Sequence, residues 1–532
     1  MNIHVIMNSV QHFEQLDSFF AYSDEYDWFL YSEEAKTAEQ SEQLDDLETA
    51  DAQRQRTAVC RIVTGLLREV ATREQTAEQL LATGTLPLLL NYAKMKVLNA
   101  RTQTDPDLSL ESDLRLICTA LFLLLSLSPA AELLAEMDSL NAAFEEVFLA
   151  LIKLSLEKSF IPMKKVCVLL YKYLSLILPA HPPTEDSHLE LTKPLIHRIT
   201  ELEPRYKTAP QTPTEAFYVT TIQRRLMTKE NPLPQVLVVG LLRAMLAACP
   251  GAPSQPQGLS VNREWQAALL HSKDHKDKYA GMQVQWPCDC EDCTEERHKV
   301  ESTRHKLLLV HYVTLLLELL VDRFKANHAL QLSTLTQQIY DANGVLVMLK
   351  FMNQDFAQMP DVPAPALRSL PGGYMKRVIE RTLLGMMRIC YCIVKPYPER
   401  IESNLIQYKA PLIMKRLYSK IEAEAVQLAA LKLIKLQVKY QPRKWKTYPA
   451  NLKFISAIYQ RLPPAKTDWL NGPVDKSSVL SQEEVSQLNV EFNYHNYWQI
   501  FDRKEPAEED LSEDFKSHYE DWLQEHVWGY YE

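Results

Sequence analysis

The chain has 532 residues, a net charge of −10, 46% hydrophobic residues and 24% charged ones, the balance of a folded chain with a large buried core and not of a disordered one. Only 12 residues are glycine, against an ordinary usage of about 7%. Strand-rich folds and phosphate-cradling loops both need glycine for turns and close backbone approach, so a helical chain is expected instead.

In chain order, the opening MNIHVIMNSVQHF has no basic segment followed by an apolar run and a small-residue cleavage site, so no secretory signal is expected. Glu14 to Asp51 then carries thirteen acidic residues and one basic, Lys36. This segment is expected to be partly disordered. Its aromatics Phe19, Phe20, Tyr22, Tyr26, Trp28 and Tyr31 nevertheless suit docking, onto a partner or onto the chain's own body.

From about Gln53, apolar residues recur at i, i+3, i+4 and i+7, the period of a helix with one buried face. The pattern predicts helices over Cys60 to Leu81, Asp113 to Leu127, Pro162 to Leu178, Gln235 to Cys249, Arg304 to Phe324, Val378 to Val394, Pro411 to Lys439 and Lys453 to Leu462. Sustained strand-like alternation is absent. Short breaks such as Ala342-Asn343-Gly344, Pro179 to Pro183 and Pro371-Gly372-Gly373 make successive helices antiparallel neighbours. No repeat has a fixed period and fixed residues, which favours an irregular armadillo/HEAT-like α-solenoid, with a set of unrelated bundles as the alternative.

The expected organisation is an acidic N-terminal segment (1–52), N-terminal helical repeats (53–249), a linker with a cysteine cluster (250–298), C-terminal helical repeats with a basic cluster (299–470) and an acidic helical tail (471–532). Further linkers are expected at Arg101 to Ser109, Ala180 to His188 and Ala357 to Leu370. The most apolar runs are Leu116 to Ala131, shorter than the roughly 20 residues of a membrane span, and Leu307 to Val321, which carries His311 and Glu318. Both read as buried helices. Nine cysteines, mostly isolated in apolar contexts such as Cys60, Cys118 and Cys167, suit reduced thiols and a cytoplasmic location.

No catalytic constellation is present: the chain lacks Gly-x-Gly-x-x-Gly, Gly-x-x-x-x-Gly-Lys-Ser/Thr and Gly-x-Ser-x-Gly, so it is not expected to be an enzyme. His271 and His275 have the i, i+4 spacing of a metal-binding helix face, but the glutamate of a metalloprotease is missing. Cys288, Cys290, Cys293 and His298 form the one candidate zinc set. A second cysteine or histidine pair is lacking, and the interleaved Asp289, Glu291 and Asp292 raise thiol pKa values by like-charge repulsion, both of which argue against zinc.

Basic residues give the stronger signals. Lys164 and Lys165 follow Pro162 in the first turn of a helix, where the dipole prefers anions. A carboxylate on a neighbouring helix or an external phosphate or acidic partner must compensate. Lys432 to Lys466 holds nine Lys/Arg and no acidic residue, interleaved with Tyr440, Trp445, Tyr448 and Tyr459. Lys432, Lys435 and Lys439 share a helix face, and Arg443, Lys444, Lys446 and Lys453 follow. Three readings fit: a partner-facing or solvated face, a pocket for a highly phosphorylated small molecule, or a nucleic-acid surface. The acidic pI near 5.9 argues against nucleic acid.

At these residues a family resemblance enters. LLREVATREQTAEQLLATGT (Leu66 to Thr85), DLRLICTALFLLLSL (Asp113 to Leu127) and FIPMKKVCVLLYK (Phe160 to Lys172) resemble the striatin-interacting proteins, helical subunits of the striatin-interacting phosphatase and kinase (STRIPAK) complex. The likeness continues in order through LPQVLVVGLLRAMLAACP, DRFKANHALQ and ANGVLVMLKFMNQDF, is densest over Leu428 to Leu462, and closes with Thr467-Asp468-Trp469 and Asp514 to Trp528. It implies a non-catalytic armadillo-like scaffold that organises striatin, the scaffold subunit of protein phosphatase 2A, a Mob-family protein and germinal-centre kinases. It also implies an inositol polyphosphate as a structural cofactor. Pro250 to His298 stands where longer members have an acidic insertion, so contacts made through that region do not carry over.

Overall fold

The computed structural model describes residues 46–47, 49, 51–72, 76–102, 108–158, 161–177, 233–249, 291–327, 329–354, 356, 374–462 and 470. Within them every regular element is a helix, in keeping with the all-α solenoid class expected from the sequence. In chain order these are α1 (Ala52–Thr72), α2 (Thr76–Ala82), α3 (Thr85–Thr102), α4 (Leu108–Leu127), α5 (Ala130–Glu157), α6 (Met163–Ile177), α7 (Leu233–Ala248) and α8 (Glu291–Asn327). There follow α9 (Ala329–Asp341), α10 (Gly344–Met352), α11 (Tyr374–Val394), α12 (Ala410–Lys420), α13 (Glu424–Val438), α14 (Arg443–Thr447) and α15 (Pro449–Arg461). A helical turn, Pro398–Arg400, and a π-turn, Ile401–Ile406, stand between α11 and α12.

The chain divides into two compact units, one drawn from Met1–Pro179, Gln235–Glu318 and Val347–Met386, the other from Ala180–Pro234, Leu319–Leu346 and Met387–Glu532. The first is built around α4, which packs against α1, α3 and α6. From Asp113 through Leu125 every residue of α4 is buried, because leucine and other good helix formers cover its whole circumference and neighbours stand on all sides. Each such leucine adds about 2 kcal/mol of hydrophobic stabilisation. Asp113 ties three helices together: Arg56 of α1 reaches its Oδ1 at 2.6 Å and Lys96 of α3 its Oδ2 at 2.5 Å.

Proline and left-handed residues set the corners. Pro129 precedes α5 and Pro162 precedes α6, where a missing amide proton costs nothing. The expected turn Ala342-Asn343-Gly344 joins α9 to α10, with Asn343 at φ 59° and its amide donating to the Tyr340 carbonyl at 2.9 Å. In the second unit α13 packs against α12, the π-turn and α15. Arg400, 2% exposed, lies 3.8 Å from the Tyr397 ring centroid and 4.4 Å from that of Tyr340, and also donates to the Ile393 carbonyl and to Gln337.

Several helices differ from the sequence reading. Pro411 to Lys439 is two helices, parted at Ile421–Ala423, and Cys60 to Leu81 contains two, α1 and α2. The expected Arg304 to Phe324 helix begins at Glu291, inside the segment read as a linker. The acidic N-terminal segment, except for a few residues from 46 onward, the linkers at 180–188 and 357–370, the 250–298 linker as far as residue 290, and the acidic tail 471–532 lie outside the described residues.

Candidate functional site

Pro162 opens α6, and the residues that follow, Lys164 and Lys165, are 2% and 1% exposed. They are held there because α6 packs on α4 and α5 with Val166, Cys167, Val168 and Leu169 buried around them. Lys165 Nζ donates to Thr119 Oγ1 at 2.9 Å, and that hydroxyl donates to the Arg115 carbonyl one turn earlier on α4 at 2.7 Å. The Arg115 side chain is itself 3% exposed. From α8 come Arg304 and His305, each 4% exposed.

Electrostatics brings Arg115, Lys164, Lys165 and His305 together. Burial, then the positive charges of Lys164, Arg115 and Lys306, holds the His305 imidazole well below its ordinary pKa, so it is neutral at physiological pH. Its Nδ1 is buried without a hydrogen-bond partner. Burial likewise drives the Cys118 thiol up to about 12, against the pull of Lys165 and Arg115. Two carboxylates of α4 are buried in the same unit, Glu111 and Asp113, and Asp113 is engaged by Arg56 and Lys96. Three cationic side chains, Arg115, Lys164 and Lys165, are thus withdrawn from water at a site where a neutral imidazole offers an unused nitrogen. Desolvated like charges are offset by negative charge, which a neighbouring carboxylate such as Glu111, one turn before Arg115, or a multivalent anion can supply.

The other predicted basic residues belong to the second unit. Lys439 and Lys446 are half-buried, whereas Arg443, Lys444 and Lys453 are exposed. Lys446 Nζ donates to the Leu470 carbonyl at 2.6 Å. Lys432 and Lys435 are half-buried, and burial lowers both pKa values; Arg388 and Lys325 lower that of Lys432 further. Lys415 donates to Asn451 Oδ1 at 2.8 Å and lies 5.4 Å from the Trp445 ring centroid, which joins α12 to α14 and α15.

Arg115, Arg304 and His305 were not singled out by sequence reasoning. A cation set between leucines, as Arg115 is between Leu114 and Leu116, was the available signal. Cys288 and Cys290 of the zinc candidate lie outside the described residues, and so do the side chains of Cys293 and His298, whose backbone is part of α8. His271 and His275 also lie outside them. Among the described residues no group of three His, Cys, Asp or Glu is placed to hold a metal ion, and no helix is long and apolar enough to cross a membrane.

Fold and site together define the class, an all-α helix-stacked protein with a buried basic cluster in one unit and an exposed basic face in the other. A family model described as a domain of unknown function, DUF3402, matches residues 372–520. Striatin-interacting proteins 2 of Mus musculus is 27% identical over 356 residues, covering 60% of this chain and 38% of the mouse protein. Striatin-interacting protein 2 of Homo sapiens gives 27% over 356 residues, with 60% and 39% covered, and Striatin-interacting protein 1 homolog of Danio rerio gives 27% over 334 residues, with 56% and 38% covered. This chain is thus similar to the striatin-interacting proteins, the family that its sequence motifs resemble. The match spans under two fifths of those relatives' length.

Proposed function

We propose that the chain is a non-catalytic cytoplasmic scaffold that binds striatin within a STRIPAK-type assembly. There it brings the scaffold subunit of protein phosphatase 2A together with a Mob-family protein and germinal-centre kinases, and so acts on signalling, cell shape and the cytoskeleton. The observation that carries the reading is the alignment with striatin-interacting proteins across 60% of the chain. A stack of helices supports it, because such stacks present long surfaces for protein partners. Recovery of the tagged chain from cells with its partners identified tests the reading: striatin and phosphatase subunits are expected, and their absence overturns it.

The same reading gives the buried cluster a ligand, an inositol polyphosphate such as inositol hexakisphosphate. The donor set suits it: Arg115, Lys164 and Lys165 supply positive charge, and His305 supplies a neutral nitrogen. Bound there, the polyphosphate supplies negative charge that neutralises the cluster, so its role is structural. A ligand selective for the folded state stabilises it, and at a hundredfold excess over Kd the melting temperature should rise by about 2–5 °C. Lys164→Gln and Lys165→Gln should each reduce the rise, and an undiminished rise in both contradicts this site.

A further inference from the structure

The second unit exposes large apolar side chains that its own core leaves uncovered. Tyr448 is 60% exposed, Leu452 48% and Tyr459 60%, and their positions place all three on one face of α15. On α12, which touches α15 through Lys415–Asn451 and a Tyr418–Phe454 ring contact, Leu412 is 57% exposed, and Tyr408 in the turn before α12 is 46% exposed. Beside them stand the exposed cations Arg443, Lys444 and Lys453. An apolar surface edged by positive charge fits an acidic segment rich in aromatics.

This chain carries such a segment at its own C-terminal end. Asp502 to Glu532 has eleven acidic residues against three basic, together with Phe515, Tyr519, Trp522 and Trp528. Phe515, Tyr519 and Trp522 are spaced i, i+4 and i+7, as on one face of a helix. The Leu470 carbonyl, held by Lys446 of α14 at 2.6 Å, shows where the chain stands as it approaches this segment: at the basic face itself. A connection of roughly thirty residues separates Leu470 from Asp502, so the segment remains tethered to the face.

We propose that Asp502–Glu532 docks in cis on the face formed by α12, α14 and α15, its carboxylates against Arg443, Lys444 and Lys453 and its aromatics against Tyr448, Leu452 and Tyr459. The docked tail competes with any acidic partner for that face. The proposal stands whether or not the chain binds striatin.

Zero-length carbodiimide cross-linking of the full chain, with the linked peptides mapped, tests it. Lys444 and Lys453 should link to carboxylates within 502–532, and the yield should fall at least about fivefold at 0.5 M salt, where the Debye length is only about 4 Å. Lys444→Glu with Lys453→Glu should remove the links, and both positions are exposed, so the fold should persist with an unchanged melting temperature. Adding Glu508→Lys and Glu509→Lys should restore links of reversed polarity. The proposal is overturned if the face links only to carboxylates within 14–51, if links form only between chains of different isotopic label, or if no link forms at low salt.

Discussion

His311 lies on α8 facing α11, its Nδ1 2.8 Å from Thr382 Oγ1. That hydroxyl donates to the Val378 carbonyl at 2.6 Å, so Nδ1 is the donor in the first bond. Burial, aided by the charge of Arg381, lowers the imidazole pKa from 6.5 to about 3. The unfolded chain therefore takes up a proton near pH 6.5 that the folded chain refuses until about pH 3. Stability present above pH 6.5 is lost as pH falls, by about 2 kcal/mol at pH 5 for this group alone. His305 acts in the same direction. Thermal melts between pH 7.5 and pH 5 should show a falling midpoint, and His311→Asn, which can still donate to Thr382, should make the decline shallower. An equal slope in the variant contradicts a neutral buried His311. Sequence patterning placed His311 in a buried helix, but its hydrogen-bond partner lies 71 residues away and no local signal names it.

Helix packing is tightest where side chains vanish. Gly385 of α11 faces α8, and a Cβ there would stand 2.8 Å from Thr314 Cγ2 and 3.1 Å from Glu318 Oε2. Thr314 is fully buried and β-branched, and Glu318 is held by Arg381 at 2.6 Å, so neither yields readily. Gly385→Ala should destabilise the chain by about 1–3 kcal/mol in denaturant titration, despite the better helix propensity of alanine. A neutral or stabilising result means the two helices are not in this contact. Helices such as α8 and α11 were legible because their apolar period is long and sustained. The α12–α13 break was not, for it contains neither glycine nor proline. Gln427 makes it by donating to the carbonyls of Ile421 and Tyr418, at 3.0 and 3.4 Å, while its Oε1 accepts from Arg461 at 2.8 Å. That device uses a residue distant in sequence, which periodicity does not register. The helix α3 was missed for another reason: Met95 and Leu98 are exposed opposite a buried face, which blurs the stripe.

At the scale of the whole molecule, the two sets of basic residues singled out in the sequence belong to two units with different physics. Lys164 and Lys165 were recognised from a charge pattern at odds with a helix dipole, and that conflict marks a cluster withdrawn from water. Their companions Arg115 and His305 are brought in by α4 and α8, far away in sequence, so half of the cluster was illegible without the fold. Arg443, Lys444 and Lys453 face solvent beside exposed aromatics and suit a protein segment better than a small ligand. The central claim is that this stack of helices works by binding striatin, and sedimentation velocity on the purified full chain mixed with striatin tests it most directly. The account predicts one boundary that contains both proteins and moves faster than either alone. Two separate boundaries at micromolar concentration, from a chain whose circular dichroism is helical, would contradict it.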